Sequence, residues 1–376
     1  MSDRDRDSVQ KLTCIEGFCG AGGMSLGLKQ AGFDIKLAFD INEDAVKTYN
    51  NNLGEHCLQL DASTISGKFL LEKAGITSRL DLFSGGPPCQ GFSKQRKGAH
   101  LLNDERNKLV LEYSRLVNEL NPRAFLFENV EIFGQKRGRD LIDEIKERLF
   151  RYNIFTFFIC SSDFGVAQKR GRFIMIGIDK SENSDYPKLE RTDSVLTIKD
   201  VIGNLPPPPE DYTEHSEIPN HIKCKITKLN EERFSHVPPG GGWKDIPHHL
   251  RLKCHQNVDT NSGGWPDVYG RLEWDKQCPT ITAGFDSFTR GRYGHPSQNR
   301  AITLREGAML QGFPIDYRFY GKRDAIRLQI GNAVPPPVAK AAGTAIIKCL
   351  NNQSTENSSY QSPIENSNEE QIELFS

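Results

Sequence analysis

The chain has 376 residues, 37% of them hydrophobic, with 48 Lys+Arg against 49 Asp+Glu and a formal net charge of −1. That length allows two or three domains at about 100 to 200 residues each, and no apolar run approaches the roughly 18 to 20 residues of a membrane-crossing helix. The nine cysteines are scattered without a CxxC pair, and His221, Cys224, Cys254 and His255 are irregularly spaced, so neither a disulfide framework nor a metal site is expected.

The first ten residues, MSDRDRDSVQ, form a charged tail without the apolar core of a secretory signal, and a cytoplasmic location follows as the expectation. From residue 11 to 183, short apolar runs (12–15, 35–39, 80–83, 124–127, 154–159, 173–178) alternate with segments of helical spacing such as 42–52 and 105–120. Alternation of this kind predicts a doubly wound α/β domain, its mostly parallel sheet covered on both faces. Residues 184–326 change texture to Pro, Gly, His and Trp, as in PPPPE and PPGGGW, which predicts a smaller loop-rich and strand-rich domain. Residues 327–350 carry a helical apolar face after three prolines and are expected to return to the first domain and complete it. Residues 351–376 hold five Glu and no Lys or Arg, which reads as a disordered acidic tail and leaves a net of +4 on the remainder.

In chain order, the first chemically loaded segment is GFCGAGGMSLG, residues 17–27, after the first predicted strand and before a helix. Its glycines allow close backbone approach to a ligand, and Asp40, ending the second predicted strand, suits ribose hydroxyls. Asp61, after LQLDA, suits an adenine amino group. Nicotinamide, flavin and S-adenosylmethionine folds share this layout, as does a purely structural turn. The full GxGxxG spacing for a pyrophosphate fails because Ser25 stands at its last position, which favours a donor without phosphates.

Next comes FSGGPPCQGFS, residues 83–93, whose glycines and prolines make a rigid turn that presents Cys89 at the carboxyl edge of the sheet. An apolar strand then ends in Glu128, a carboxyl able to hold a proton among hydrophobic neighbours. In AQKRGRFIMIGI, Arg170 and Arg172 lie two apart and share one strand face. Two stretches are basic, 94–108 with a local +3 and 221–255 with a local +4, and suit phosphate contact. Trp243 lies in the second, in a basic, aromatic, turn-rich run suited to contacts with DNA backbone and base edges.

FCGAGG, GGPPCQGFS, ENV, QKRGR and GNAVPPPVA, in that order, resemble the ordered blocks of the DNA (cytosine-5) methyltransferase family, over most of residues 11–350. The resemblance implies the S-adenosylmethionine-dependent methyltransferase fold and methyl transfer to C5 of a flipped-out cytosine in double-stranded DNA. It gives Cys89 the role of covalent nucleophile on C6, Glu128 contact with N3, and Arg170 and Arg172 a place beside O2 and the thiolate. It carries Phe18, Gly20, Gly22, Gly23, Asp40, Ile41, Asp61, Pro88, Asn332 and Val334 to the cofactor, S-adenosyl-L-methionine. Gln90, Ser93, Lys94, Arg96 and Lys97, with Thr280 and Thr282, are carried to DNA. The small size resembles the prokaryotic modification enzymes that protect host DNA from a paired restriction endonuclease, a solitary regulatory or phage enzyme being equally compatible with these residues, and a monomer is expected. A tRNA cytosine-5 methyltransferase and a catalytically silent DNA-binding scaffold are the alternatives. The chain departs from the pattern at Glu16-Gly17, where Asp-Leu is usual, and Ile41 stands where an aromatic or aliphatic residue covers the adenine.

Overall fold

The computed structural model describes residues 11–88, 108–256, 258 and 267–351. Seven strands form one sheet: β1 (Thr13–Gly17), β2 (Asp34–Asp40), β3 (Cys57–Gln59), β4 (Leu82–Gly85), β5 (Ala124–Val130), β6 (Tyr152–Cys160) and β7 (Gly171–Asp179). Their order is β3-β2-β1-β4-β5-β7-β6. The first five strands pair in parallel, while β7 runs antiparallel to both β5 and β6. The chain winds from β1 outward to β3 and then restarts at β4 on β1's other side. The crevice beyond the carboxyl ends of β1 and β4 is therefore a topological switch point, where open α/β sheets bind ligands.

Helices α1 (Gly23–Ala31), α2 (Glu43–Leu53), α3 (Gly67–Ala74), α4 (Lys108–Leu120) and α5 (Arg139–Arg148) connect the strands. Alternation of side chains along each strand divides the core in two. Ile15, Phe83, Phe125 and Phe127 pack with α3, α4 and α5 on one face, and Cys14, Leu82, Leu126 and Ile176 pack with α1 and the last helix on the other. That last helix follows the prolines as expected and packs along α1, where a Cβ at Gly27 would run into the carbonyl of Pro336.

Between these parts lie α6 (Ile198–Ile202), α7 (Lys228–Ser235), α8 (Lys253–Gln256), α9 (Leu304–Leu310) and α10 (Arg323–Asn332), and the last helix among the described residues is α11 (Pro336–Leu350). Phe234, Val237, Trp243, Ile246, Tyr269 and Phe288 form a separate small core in this region. Loops dominate it as expected, but among the described residues its strand pairing is confined to isolated bridges at Gln168–Cys278, Arg271–Gly294 and Gly294–Ala301. Proline and glycine, frequent there, disfavour regular ladders. The expected break at 326/327 falls inside α10, and α9 opens on a Thr303/Glu306 capping box that is visible in the sequence as T-x-x-E. Among the described residues no helix is long and apolar enough to cross a membrane.

Candidate active site

The glycine loop leaves β1 and is pinned by Asp40 at the end of β2. Gly20 N donates to Asp40 Oδ2 at 2.8 Å, and Asn42 N donates to Oδ1 at 2.9 Å. Burial pushes the Asp40 pKa up while these N–H groups pull it down. Gly20 has φ +52, and a Cβ built on it would meet no atom within 4 Å, so the loop backbone is bare toward open space. That space is a cavity of about 410 Å³ at the switch point. Phe18, Gly20, Asp40, Ile41, Asp61, Pro88, Asn332 and Val334 all line it.

Gly22 and Gly23 do not line the cavity. Gly22 is the left-handed N-cap of α1, pressed against Leu53 and Tyr49, and a Cβ on Gly23 would strike the carbonyl of Val334. They shape the loop and let the returning segment close on it. Asp61 faces solvent at the cavity rim and accepts from Ser63 N and Oγ at 2.9 and 2.7 Å, which lowers its pKa.

The other wall is built by β5. Glu128 is 8% exposed, lines the same cavity, and pairs with Arg172 Nε at 2.7 Å through Oε1. Burial raises its pKa, against the downward pull of Arg172 and Arg170. The antiparallel β5–β7 register explains the meeting: Arg172 lies opposite Val130, two residues beyond Glu128 on the same face. The neighbouring Asn129 donates from Nδ2 to Pro87 O at 3.1 Å, which holds the turn that leads into Cys89. Cys89, Gln90, Ser93, Lys94, Arg96 and Lys97 themselves lie outside the described residues.

Arg170 is used differently from Arg172. It is 2% exposed and donates to the carbonyls of Ile281 at 2.6 Å and Gly331 at 2.7 Å. Its two terminal nitrogens join the loop-rich region and the returning segment to β7, its Nε has no hydrogen-bond partner among the described residues, and it acts on Glu128 through charge. Gln168, two residues earlier, accepts from Ile281 N at 2.7 Å and donates to Gln311 Oε1 at 2.5 Å, while Gln311 Nε2 donates to Ala333 O at 2.6 Å. Ala333 is a cavity residue, so this buried amide pair anchors the cavity wall.

Several expectations for DNA contact need correction or placing. Trp243 is fully buried, stacked on His255 at 4.6 Å within the small core, and cannot reach DNA. A large aromatic in a loop-rich region is needed as core where strands supply none. Thr280 donates its hydroxyl to Lys169 O at 2.9 Å, and Thr282 is exposed beside the Tyr293 hydroxyl at 3.1 Å. Within the basic stretch, Arg233 donates to Leu250 O and Arg251 to Ile246 O and Lys244 O, so part of that charge serves loop carbonyls.

Sequence reasoning passed over Leu109, Ala325, Leu328 and Gln329, which also line the cavity, and read Glu16 only as a departure at a strand end. Gln329 and its neighbours, just before GNAV, and Leu109, in the segment 105–120, had only the signal of helical spacing. The cavity suits an S-adenosylmethionine-sized ligand: its volume falls in the range of small-molecule sites, apolar Phe18, Ile41 and Leu60 flank it, and Asp40 and Asp61 supply acceptors for hydroxyl and amino groups.

Residues 12–348 match the family described as C-5 cytosine-specific DNA methylase. The chain is 36% identical to the Type II methyltransferase M1.HphI of Haemophilus parahaemolyticus, with 91% of this chain and 88% of that protein covered. It is 32% identical to the Type II methylase M.HgiDII of Herpetosiphon aurantiacus, with 89% and 95% covered. A solved E. coli structure, described as a DNA modification methyltransferase encoded within a prophage, superposes with a TM-score of 0.71 at 27% identity, covering 91% of this chain and all of that one.

Proposed function

Because this chain belongs to the C-5 cytosine-specific DNA methylase family, whose members transfer a methyl group from S-adenosylmethionine to cytosine in DNA, we propose that the transfer runs through Cys89, Glu128 and Arg172 and that the enzyme is the modification partner of a Type II restriction endonuclease. The 2.7 Å Glu128–Arg172 pair facing the cofactor cavity carries this reading.

C5 of cytosine is a poor nucleophile while the ring is aromatic. Addition of the Cys89 thiolate to C6 breaks the aromaticity and turns C5 into an enamine carbon. Glu128, whose burial favours its protonated form, donates toward N3 and withdraws density from the ring as the sulfur adds. Arg172 keeps Glu128 oriented and places a positive charge beside the site, where it favours the thiolate. Bound S-adenosylmethionine supplies an electrophilic methyl group. Loss of the C5 proton and departure of the sulfur restore the ring and the thiolate. The target carbon is stacked inside a duplex, out of reach of side chains set in a cavity, so the nucleotide is extruded from the helix before reaction.

A duplex containing 5-fluorocytosine at the target tests the reading, since fluorine blocks loss of the C5 substituent. Mass spectrometry is expected to find a stable adduct on Cys89 in the presence of the donor and none with Cys89→Ser. Absence of the adduct, or methylation of tRNA in preference to duplex DNA, overturns it. The proposal extends to a monomer acting on cytoplasmic DNA. A single-chain mass in solution, and one methylated sequence motif across the DNA of expressing cells, are the expected observations.

A further inference from the structure

Glu16, the residue before the last of β1, has 1% of its surface exposed, yet it lines the cofactor cavity. Its partner is a hydroxyl and not a cation: Ser25 Oγ donates to Oε2. The titratable groups packed around it are all acids, with Asp40 from β2, Cys14 on its own strand, Cys19 in the glycine loop, Tyr49 from α2 and Tyr317 from the segment after α9. Burial without a compensating cation pushes its pKa up to about 8, so the carboxyl is neutral near pH 7.

From Ser25 the hydrogen bonding continues away from the cavity. Tyr49 OH donates to Ser25 Oγ at 2.8 Å and lies 3.1 Å from His56 Nε2, and His56 is half-buried at the far side, near Lys29 and Asp34. An unbroken chain thus runs from the cavity wall to the surface: Glu16, Ser25, Tyr49, His56.

We propose that Glu16 distinguishes the cationic methyl donor from its neutral product, losing a proton along Ser25, Tyr49 and His56 when the donor binds and regaining one after the methyl group has left. The inference rests on the cavity being the S-adenosylmethionine site. The donor carries one more positive charge, on sulfur, than S-adenosylhomocysteine, and a carboxylate in the wall matches that charge in a desolvated space. The proton moves from Glu16 Oε2 to Ser25 Oγ, the serine hydrogen to Tyr49 O, the tyrosine hydrogen to His56 Nε2, and from there to solvent. Rotatable hydroxyls serve as both donor and acceptor, so the path works in either direction. With the cavity filled, this route remains open.

Calorimetric titration of the full chain with S-adenosylmethionine and with S-adenosylhomocysteine, at pH 7 in buffers of different ionisation enthalpy, reads affinity and proton count together. Donor binding is expected to release about 0.5 to 1 proton more than product binding. Glu16→Gln is expected to abolish most of that difference and to shift the donor-to-product affinity ratio about tenfold toward product. The ligand's own amine titrates alike with both proteins, so comparing them isolates the carboxyl. Failure of both ligands to bind overturns the cavity assignment itself. Normal binding with equal proton counts, or a difference that persists in Glu16→Gln, overturns only this inference. Tyr49→Phe is expected to keep the equilibrium count and slow the release seen by stopped-flow with a pH indicator. An unchanged rate overturns the path. Should Glu16→Gln fail to fold, Tyr49→Phe still decides, since it cuts the hydrogen-bonded chain and leaves the carboxyl and the ligand's amine unchanged.

Discussion

The carboxyl edge of the sheet and the loop-rich region between β7 and α10 both bury arginines, and Arg172 in the first and Arg271 in the second spend their donors differently. At the sheet edge, Arg172 meets one carboxyl group, that of Glu128, which lines a cavity. In the loop-rich region, Arg271 donates to the carbonyls of Val237, Phe234, His295 and Gln298 and to Asn299 Oδ1, and lies 4.0 Å over the Phe234 ring. Arg305 likewise donates to Pro219 O, Pro314 O and Tyr317 O. In the sheet the ladder satisfies most of the backbone, so Arg172 spends one donor on Gly171 O at 2.7 Å and keeps Nε for Glu128. Where Pro and Gly prevent a ladder, buried carbonyls still require donors, and one planar five-donor group supplies several of them at once. Basic residues in this chain are therefore no simple measure of its DNA surface.

The contrast breaks most sharply at Glu128. Glu128→Gln is expected to lower kcat by about 10² to 10³, because an amide cannot deliver a proton to N3, while the dissociation constant for S-adenosylmethionine stays within about threefold. Single-turnover methylation and cofactor titration check this; a loss below tenfold removes Glu128 from the chemistry. Arg271→Met is the matching change in the other region. It leaves several buried carbonyls unpaired and is expected to cost about 3 kcal/mol of folding stability in urea titration, with donor binding at the sheet edge retained. A stability change near zero would mean that the loops satisfy their backbone by other means.

Acid sensitivity sharpens the comparison further. His295 is buried beside Trp274, and burial holds its pKa down at about 4. Between pH 6.5 and 4 the unfolded chain takes up a proton that the folded chain refuses, so stability present above pH 6.5 is lost as pH falls to 4. His295→Gln is expected to flatten that slope by about 2 kcal/mol, read from urea midpoints across the window. Glu306 behaves as the conventional case lower down: burial alone would raise it, but Arg300 pulls it to about 2, and its contribution is lost as pH falls from 4.5 to 2. The smallest effect belongs to the bridge between the two regions. Gln311→Leu removes the donor to Ala333 O and is expected to weaken S-adenosylmethionine binding about fivefold, with kcat at saturating donor little changed.

Most of the site was legible in the sequence because its parts sit at fixed local positions: strand ends, the turn before Cys89, and a loop in which Gly20 requires positive φ. Ile41, Asp61 and Asn332, distant in the chain, line one cavity. Arg170 and Trp243 were misjudged for one shared reason. Residue type announces what a side chain can do, and its partners, which come from segments distant in the chain, decide what it does. Arg170 answers to Ile281 and Gly331, and Trp243 answers to a core assembled from residues 234 to 301.

The sequence by itself determined the alternation of strands and helices, the glycine loop, the order of the reactive residues and the helix after the prolines, since each depends on short-range spacing and backbone preference. Tertiary structure alone decided that β7 inserts antiparallel beside β5, which brings Arg172 to Glu128, and that Glu16 is enclosed with hydroxyls and acids for neighbours. Burial and charge pairing depend on distance in space, and residues far apart along the chain set both.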